Sequence, residues 1–295
     1  MAVLIDFSQI ILSNLFAQIR PGQPIEEDLI RHMVLNSIRS YKQKFEDKFG
    51  SIIICIDSRH YWRKDVFPYY KFKRKEDRDK SDFDWDTIWA CIHKVKEELQ
   101  KYMPYRIMEV YGAEADDIIA VLSKNLSRRE KVLIISGDKD FPQLQKYPNI
   151  SQFAPVEKEW KKTDDPIKFL KIHIMKGDTG DSIPNFLTPD DFFLKKSQGQ
   201  NVRQKSLMAD KLELWATLPP ERFCTTEMMH GWSRNETLVD LDKIPESILH
   251  SILEAYRVPF DSSNSRMFDY FMKYRLKLLL KDLRQFHVKQ EKTLV

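Results

Sequence analysis

Residues 131–144 read KVLIISGDKDFPQL, an apolar run that passes at once into Ser-Gly-Asp-Lys-Asp. Val132, Leu133, Ile134 and Ile135 have the continuous, β-branched character of a strand buried on both faces. A core strand that ends by presenting Asp138 and Asp140, two carboxylates one residue apart, needs a reason. Two further runs have the same character, residues 2–5 and 52–56, and each also ends in an acid, Asp6 and Asp57. A weaker run, 105–110, follows Pro104. Helical periodicity separates the strands over residues 28–45, 86–102 and 115–126. Strands alternating with helices predict an α/β domain with a mainly parallel central sheet flanked by helices. In such a sheet the carboxyl ends of the strands lie side by side, and sites form there. A single Asp at a strand end is ordinarily a helix cap or a turn residue. Three in one sheet exceed what capping requires.

Two more acidic stretches extend the set. YGAEADDIIAVL, 111–122, opens a helix with Glu114, Asp116 and Asp117. The helix dipole favours acids in a first turn and accounts for any one of them. At a helix start the chain is not yet fully helical, so positions 114 and 116 can share a side, leaving Asp117 to cap. MKGDTGDSIPN, 175–185, carries Asp178 and Asp181 between Gly177, Gly180 and Pro184, and taken alone it is a solvated turn. Together Asp6, Asp57, Glu114, Asp116, Asp138, Asp140, Asp178 and Asp181 can converge on one site. Carboxylates about 4 Å apart repel by roughly 4 kcal/mol per pair at an effective dielectric near 20. Such a cluster requires protons or cations. Hard divalent ions, Mg2+ above all, take carboxylates while keeping several waters, and the sequence shows no His- or Cys-rich set for a softer metal. Two such ions about 3.5–4 Å apart activate a water and stabilise a leaving oxygen. On extended backbone Asp138 and Asp140 share a side, so the doublet is expected to bracket the two ions.

The bulk composition fits that chemistry. The chain has 295 residues, 42% hydrophobic and 31% charged, with a net charge of +4. Setting the eight acids aside leaves 48 basic residues against 36 acidic ones, a balance of +12. A basic body around an acidic pocket suits a polyanion handled through metal ions. No apolar run approaches the roughly 18 residues of a membrane span, and MAVLIDFSQI reads as a first strand rather than a signal peptide. Cys55, Cys91 and Cys224 are scattered and odd in number, which predicts reduced thiols, a cytoplasmic setting and no zinc site. From about residue 165 the pattern is helical, over 167–175, 207–216, 247–257 and 267–283, with a polar, turn-rich stretch at 178–205. The expected division is 1–165 for the α/β domain and 166–295 for a smaller all-helical domain. The last residues, HVKQEKTLV, read as a frayed tail or a short interaction segment.

Between residues 61 and 80 lie eight cations, Arg63, Lys64, Lys71, Lys73, Arg74, Lys75, Arg78 and Lys80. Tyr61, Trp62, Phe67, Tyr69, Tyr70 and Phe72 are interleaved with them. A charge run usually solvates a face, and such rings often serve packing. Cations for phosphates beside rings for bases are also what a nucleic-acid strand requires.

The ordered set LIDFSQI, ICIDS with YWRKDVFPYYKFKR, EADDIIAVL, IISGDKDFPQL and KGDTGDSIPN resembles the 5′-nuclease superfamily of flap endonucleases and 5′–3′ exonucleases, nearest its T-even bacteriophage ribonuclease H branch. A weaker likeness runs on through LVDLDKIPESI and FDYFMKY. Any one motif is weak; the five in order are specific. The resemblance implies a PIN-like core with a helical arch over about 60–85 and a C-terminal helical domain. It implies Asp57, Asp116 and Asp138 as ligands of a tighter Mg2+, with Asp6 and Glu114 direct or through water, and Asp140, Asp178 and Asp181 as holders of a second Mg2+, Mn2+ substituting. The implied reaction is hydrolysis from the 5′ end of RNA–DNA hybrid, flapped or forked DNA, leaving a 5′-phosphate and removing RNA primers from lagging-strand fragments. Lys71 and Arg74 match the family's Tyr-Lys-x-x-Arg pattern and are implied at the scissile phosphate, with Tyr70 stacking on a displaced base and Arg63, Lys64, Lys73 and Lys75 along the strand. RDKSDFDWD, 78–86, is expected to be a flexible crossing of the arch. Single-strand-binding protein and sliding clamp are implied partners, for a monomer in the host bacterial cytoplasm.

The sequence departs from the family where a helix–hairpin–helix with Gly-x-Gly-x-Lys should follow Asp181. It runs instead DSIPNFLTPDDFFLKKSQGQNVRQKS, and Lys195, Lys196, Arg203 and Lys205 are the candidate substitute for duplex grip. Three other readings compete. A PIN-type ribonuclease would be smaller and lack the arch. A binding scaffold would need no complete acid set. A DxD phosphatase would carry its doublet after the first strand, where this chain has only Asp6.

Overall fold

The three apolar runs that end in acids are neighbouring parallel strands at the centre of one sheet. The computed structural model describes residues 1–288; residues 289–295, most of the tail HVKQEKTLV, lie outside the described residues. β1 (Ala2–Asp6) has β2 (Ser51–Ile56) on one side and β4 (Val132–Ile135) on the other, with Ile5 level with both Ile54 and Ile135. β3 (Arg106–Glu109) lies outside β2, and β5 (Ile150–Ala154) outside β4. β6 (Glu159–Lys161) closes the edge and is the antiparallel member of the order β3-β2-β1-β4-β5-β6. Strand order reverses at β1, which opens a crevice at the carboxyl ends of β1, β2 and β4.

Period-2 alternation divides the strand residues between two faces. Val3, Ile5, Ile54 and Ile135 meet α1 (Phe7–Gln18), α2 (Glu27–Phe49) and, after α3 (Arg63–Val66) and α4 (Phe72–Asp79), α5 (Trp85–Tyr102). Leu4, Ile53, Cys55 and Ile134 meet α6 (Ala115–Leu126). The second half of the chain adds α7 (Pro166–Lys176), α8 (Phe192–Ser197), α9 (Ala209–Ala216), α10 (Thr226–Val239), α11 (Glu246–Arg257), α12 (Met267–Lys273) and α13 (Lys277–Leu280). Ile252 of α11 joins the face under α6, and Met267, Tyr270 and Phe271 of α12 join the α2–α5 face. Phe67 and Tyr70, between α3 and α4, are buried with Leu170, Ile174, Phe186 and Trp232 in a third cluster. Aromatic side chains thus root the basic segment in the second half of the chain.

Several elements differ from expectation. Helix α1 begins directly at the end of β1, capped by Asp6, whose Oδ1 accepts the Gln9 N–H at 3.2 Å. The expected helix over 267–283 is broken at Arg275, whose φ is +51°. Continuing from Tyr270 and Phe271 at helical spacing would bury Leu278, but Leu278 is 73% exposed while Leu276 and Leu279 are buried. Breaking the helix lets both leucines reach the core. The stretch 78–86 runs from the end of α4 through bends at 81–83 into the start of α5. Asp84 caps α5 through Thr87, and Phe83 and Trp85 pack on Phe16. Among the described residues no helix is long and apolar enough to cross a membrane.

Candidate metal centre and its basic cleft

Asp6 ends β1, Asp57 follows β2, Asp116 lies in the first turn of α6, and Asp138 stands just beyond β4. Asp57 is fixed by accepting the Ala115 N–H at 2.7 Å, which ties the end of β2 to the start of α6. The loop after β4 is held by side-chain amides. Gln9 Oε1 accepts the Gly137 N–H at 2.6 Å and lies 2.9 Å from Ser136 Oγ, itself 3.1 Å from Asp6 Oδ2. Buried Gln152 of β5 donates to the carbonyls of Ser136 and Asp138 at 2.9 and 2.8 Å. Gln9, Ser136 and Gln152 carried no signal in the sequence, because one uncharged polar side chain resembles any other.

The doublet is not extended. The Asp140 N–H donates to Asp138 Oδ1 at 2.8 Å, and Asp140 has helical φ and ψ, so the pair forms a turn. Asp138 therefore stands with Asp116 and Asp6, while Asp140 turns to His173 of α7, whose Nε2 is 2.8 Å from its Oδ1. Asp178 joins that second group: one ligand atom each from Asp140, His173 and Asp178 lie within 4.8 Å of one another. No His- or Cys-rich set is present among the described residues, but one histidine joins these acids; a lone His in KIHIMK gives no sign of its neighbours.

The site's cations divide the acids. Lys71 pairs with Glu114, Arg74 with Asp181, and Lys139 with Asp178 at 2.9 Å. Tyr70 donates to Glu114 at 3.0 Å or to Asp181 at 3.2 Å. Burial pushes the carboxyls of Glu114 and Asp181 up, but Lys71 with Arg63, and Lys71 with Arg74, outweigh it and hold them below their ordinary range. Asp6, Asp116 and Asp138 go the other way. Burial first, then Asp57, raises Asp6 to about 6; burial, then Asp140, raises Asp138 to about 7; burial, then Asp138, raises Asp116 well above its ordinary value. These oxygens converge without enough positive charge, and hard oxygen donors in that state fit a divalent cation such as Mg2+.

Beside Asp57 and Glu114 opens a cleft of about 540 Å³ lined by Lys64, Lys71, Arg74, Lys75, Arg78 and Trp89 among others. Lys71 occupies the left-handed region (φ +56°) at the start of α4, its N–H donating to the Asp181 carbonyl. Two residues expected on the nucleic acid are buried, one of them away from the cleft. Arg63 is 2% exposed and bound to Glu114, Asp117 and the Leu238 carbonyl, and Tyr70 is 4% exposed between two carboxylates. Arg63 does not line the cleft, because tertiary contacts drew it inward, whereas Tyr70 still forms part of the cleft wall. Asp117 caps α6 as its spacing suggests, accepting the Glu114 N–H at 3.0 Å. Lys73 and Lys196 of α8 face each other across a smaller cavity of about 280 Å³. Lys195 pairs with Asp191, Lys205 with Glu227, and Arg203 is exposed; none of these three lines the main cleft.

The two groups of acids give opposite pH signatures. Asp6 and Asp138, with folded-state values above the unfolded 3.8, contribute stability that is complete at low pH and lost as pH rises through about 6 to 7. Glu114 and Asp181 contribute stability above their unfolded values that is lost as pH falls. The difference between melts with Mg2+ and with EDTA isolates the first group, because protons compete with the cation there. The Mg2+-induced rise in Tm should be large at pH 8 and shrink markedly at pH 5.5. A rise independent of pH would contradict this account.

The comparisons with known proteins agree with this geometry. The family model for the 5′-3′ exonuclease N-terminal resolvase-like domain matches residues 1–170, and that for the T4 RNase H C-terminal region matches 167–286. Ribonuclease H of Enterobacteria phage T4 is 34% identical over 291 residues, covering 96% of this chain and 95% of the relative. Flap endonuclease Xni of Shewanella oneidensis is 34% identical over 133 residues, 42% of this chain and 47% of that protein. Among solved structures, T5 5′-exonuclease with bound zinc ions superimposes with a TM-score of 0.56 at 15% identity, covering 97% of this chain and all of that one (100%). That likeness establishes the fold. The resemblance carried by the five motifs is borne out, and the smaller PIN-type reading gives way to it: the chain belongs to the 5′–3′ exonuclease family, in the branch that includes phage T4 ribonuclease H.

Proposed function

We propose that this chain is a Mg2+-dependent 5′ nuclease that hydrolyses phosphodiesters in RNA–DNA hybrid and in flapped or forked DNA, removing RNA primers from lagging-strand fragments. The observation that carries the proposal is the under-compensated group Asp6, Asp116 and Asp138, with Asp57 beside it, at the carboxyl edge of the sheet, opening beside a cleft that presents Lys71 and Arg74. Asp57, Asp116 and Asp138, with Asp6, would hold the tighter cation, and Asp140 and Asp178 a second. Cations so held supply an activated water and charge stabilisation for the leaving oxygen. Glu114 and Asp181 orient Lys71 and Arg74, and an arriving phosphate offers those two cations a new anionic partner. Residues 60–85 form the arch segment of this reading, with Lys64, Lys75 and Arg78 along the strand path. Lys73, Lys195 and Lys196 extend the basic surface toward α8.

A 5′-labelled hybrid, a 5′ flap and a blunt duplex, each incubated with and without Mg2+, test the proposal. Short 5′ products that depend on Mg2+ support it. Tight binding with no cleavage under any divalent ion would overturn it in favour of a non-catalytic scaffold. Lys71→Ala/Arg74→Ala should lower cleavage by roughly 10- to 100-fold and flatten the salt dependence of forked-duplex binding, since each phosphate contact contributes to that slope. Unchanged binding and cleavage in the double variant would remove these residues from the phosphate path.

A further inference from the structure

The second cation position was expected to offer oxygen alone, and the structure adds a nitrogen. His173 sits in the last turn of α7, its ring stacked on Phe169 with centroids 6.2 Å apart and planes at 16°. It is 8% exposed. Its Nε2 lies 2.8 Å from Asp140 Oδ1, yet neither atom has a hydrogen bond of acceptable direction to any partner. The contact is close and misdirected. Two ligands placed side by side on an octahedral ion with bonds near 2.1 Å stand about 3 Å apart. The spacing therefore suits two donors aimed at a shared cation better than a donor aimed at an acceptor. Asp178 contributes the third ligand atom, and its present partner Lys139 is 57% exposed. Asp181, which the sequence would assign to the same position, is turned instead toward Arg74 and Tyr70.

We propose that His173 is a ligand of the second cation position, with Asp140 and Asp178, and biases that position toward divalent transition ions over Mg2+. The inference rests on the two-cation reading of the preceding section. Imidazole nitrogen is a better donor to first-row transition ions than to Mg2+, which prefers oxygen. An all-carboxylate position would supply less of that bias.

Mn2+ is the probe, because it substitutes for Mg2+ and is paramagnetic. Pulsed electron paramagnetic resonance on the wild-type chain with two equivalents of Mn2+ should show modulation from a directly bound imidazole nitrogen. His173→Gln should abolish the modulation, and His93→Gln, which changes the imidazole lining the main cleft, should leave it. Calorimetric titrations should show the Mn2+-over-Mg2+ affinity ratio falling about tenfold in His173→Gln, the scale of a lost contact at a metal site. Melts in EDTA check that the variant folds, and the wild-type spectrum needs no variant at all. Two equivalents of Mn2+ bound without nitrogen modulation, or with modulation that survives His173→Gln, would overturn the assignment and leave the two-cation reading standing. Failure of the wild-type chain to bind Mn2+ would overturn both.

Discussion

Asp138→Asn should lower the nuclease rate by about a thousandfold or more while making the metal-free protein more stable. Held cations contribute several kcal/mol to the transition state of phosphodiester hydrolysis, and a loss of about 4 kcal/mol is about three orders of magnitude in rate. Asp138 stands at the turn between the two groups of acids, close to Asp116 and Asp6 on one side and Asp140 on the other. An amide there is a poor ligand and reduces the negative charge that would attract the two cations of the proposed mechanism. The stability change has the opposite sign. Burial and Asp140 raise the Asp138 carboxyl to about 7, so the fold favours its neutral form and ionisation above that pH works against folding. Asparagine is neutral throughout and can still accept the Asp140 N–H through its Oδ1. In EDTA at pH 8 the variant should melt a few degrees higher than the wild type, and the difference should narrow as pH falls and close only near the unfolded value of 3.8. Mg2+ should then raise its Tm far less than it raises that of the wild type. Full activity in Asp138→Asn would remove the residue from the metal centre, and a lower EDTA melt at pH 8 would contradict the electrostatic account.

What the sequence discloses and what it hides follow from how each residue is used. The central strands are legible because Val3, Ile54 and Ile134 sit in continuous apolar runs that demand cover on two faces. β5 and β6 are not legible, because Ser151 and Gln152 break the apolar run and Glu159 and Lys161 lie at an edge where charge is tolerated. Gln152 is polar for a reason that only the fold shows: it braces the loop that carries Asp138. The acids are visible because strand ends and a helix start account for one carboxylate each and not for eight. Their partition is invisible, since the pairing of Glu114 with Lys71 and of Asp181 with Arg74 joins residues 43 and 107 positions apart. The basic segment has the same limitation. Lys64, Arg74 and Lys75 remain at the surface, while Arg63 looks identical in sequence and is buried.

That difference makes Arg63 the most informative basic residue for stability. Its Nε donates to the Leu238 carbonyl at 2.9 Å, and its Nη1 lies 2.9 Å from Glu114 Oε2 and 2.8 Å from Asp117 Oδ1. One guanidinium thus joins the start of α3, the start of α6 and the end of α10. Arg63→Met keeps most of the aliphatic stem and removes the charge, leaving Asp117 buried with the Trp62 indole N–H and the Glu114 N–H as its remaining donors. Breaking a buried pair in this way is destabilising by about 3–5 kcal/mol, because the abandoned carboxylate keeps its desolvation penalty. Tm should fall by about 10 °C. Arg63→Lys should recover only part of this, since an ammonium lacks the fork that spans two acids and a carbonyl. Asp117→Asn in the Arg63→Met background should restore stability relative to the single variant, and the coupling in that double-mutant cycle measures the pair directly. A residue that touched phosphate from the surface would behave differently: Tm unchanged, binding weakened, and the salt slope reduced by about one. The two outcomes are opposite in kind, so one melting curve and one salt titration decide whether Arg63 holds the basic segment to the body or contacts the substrate.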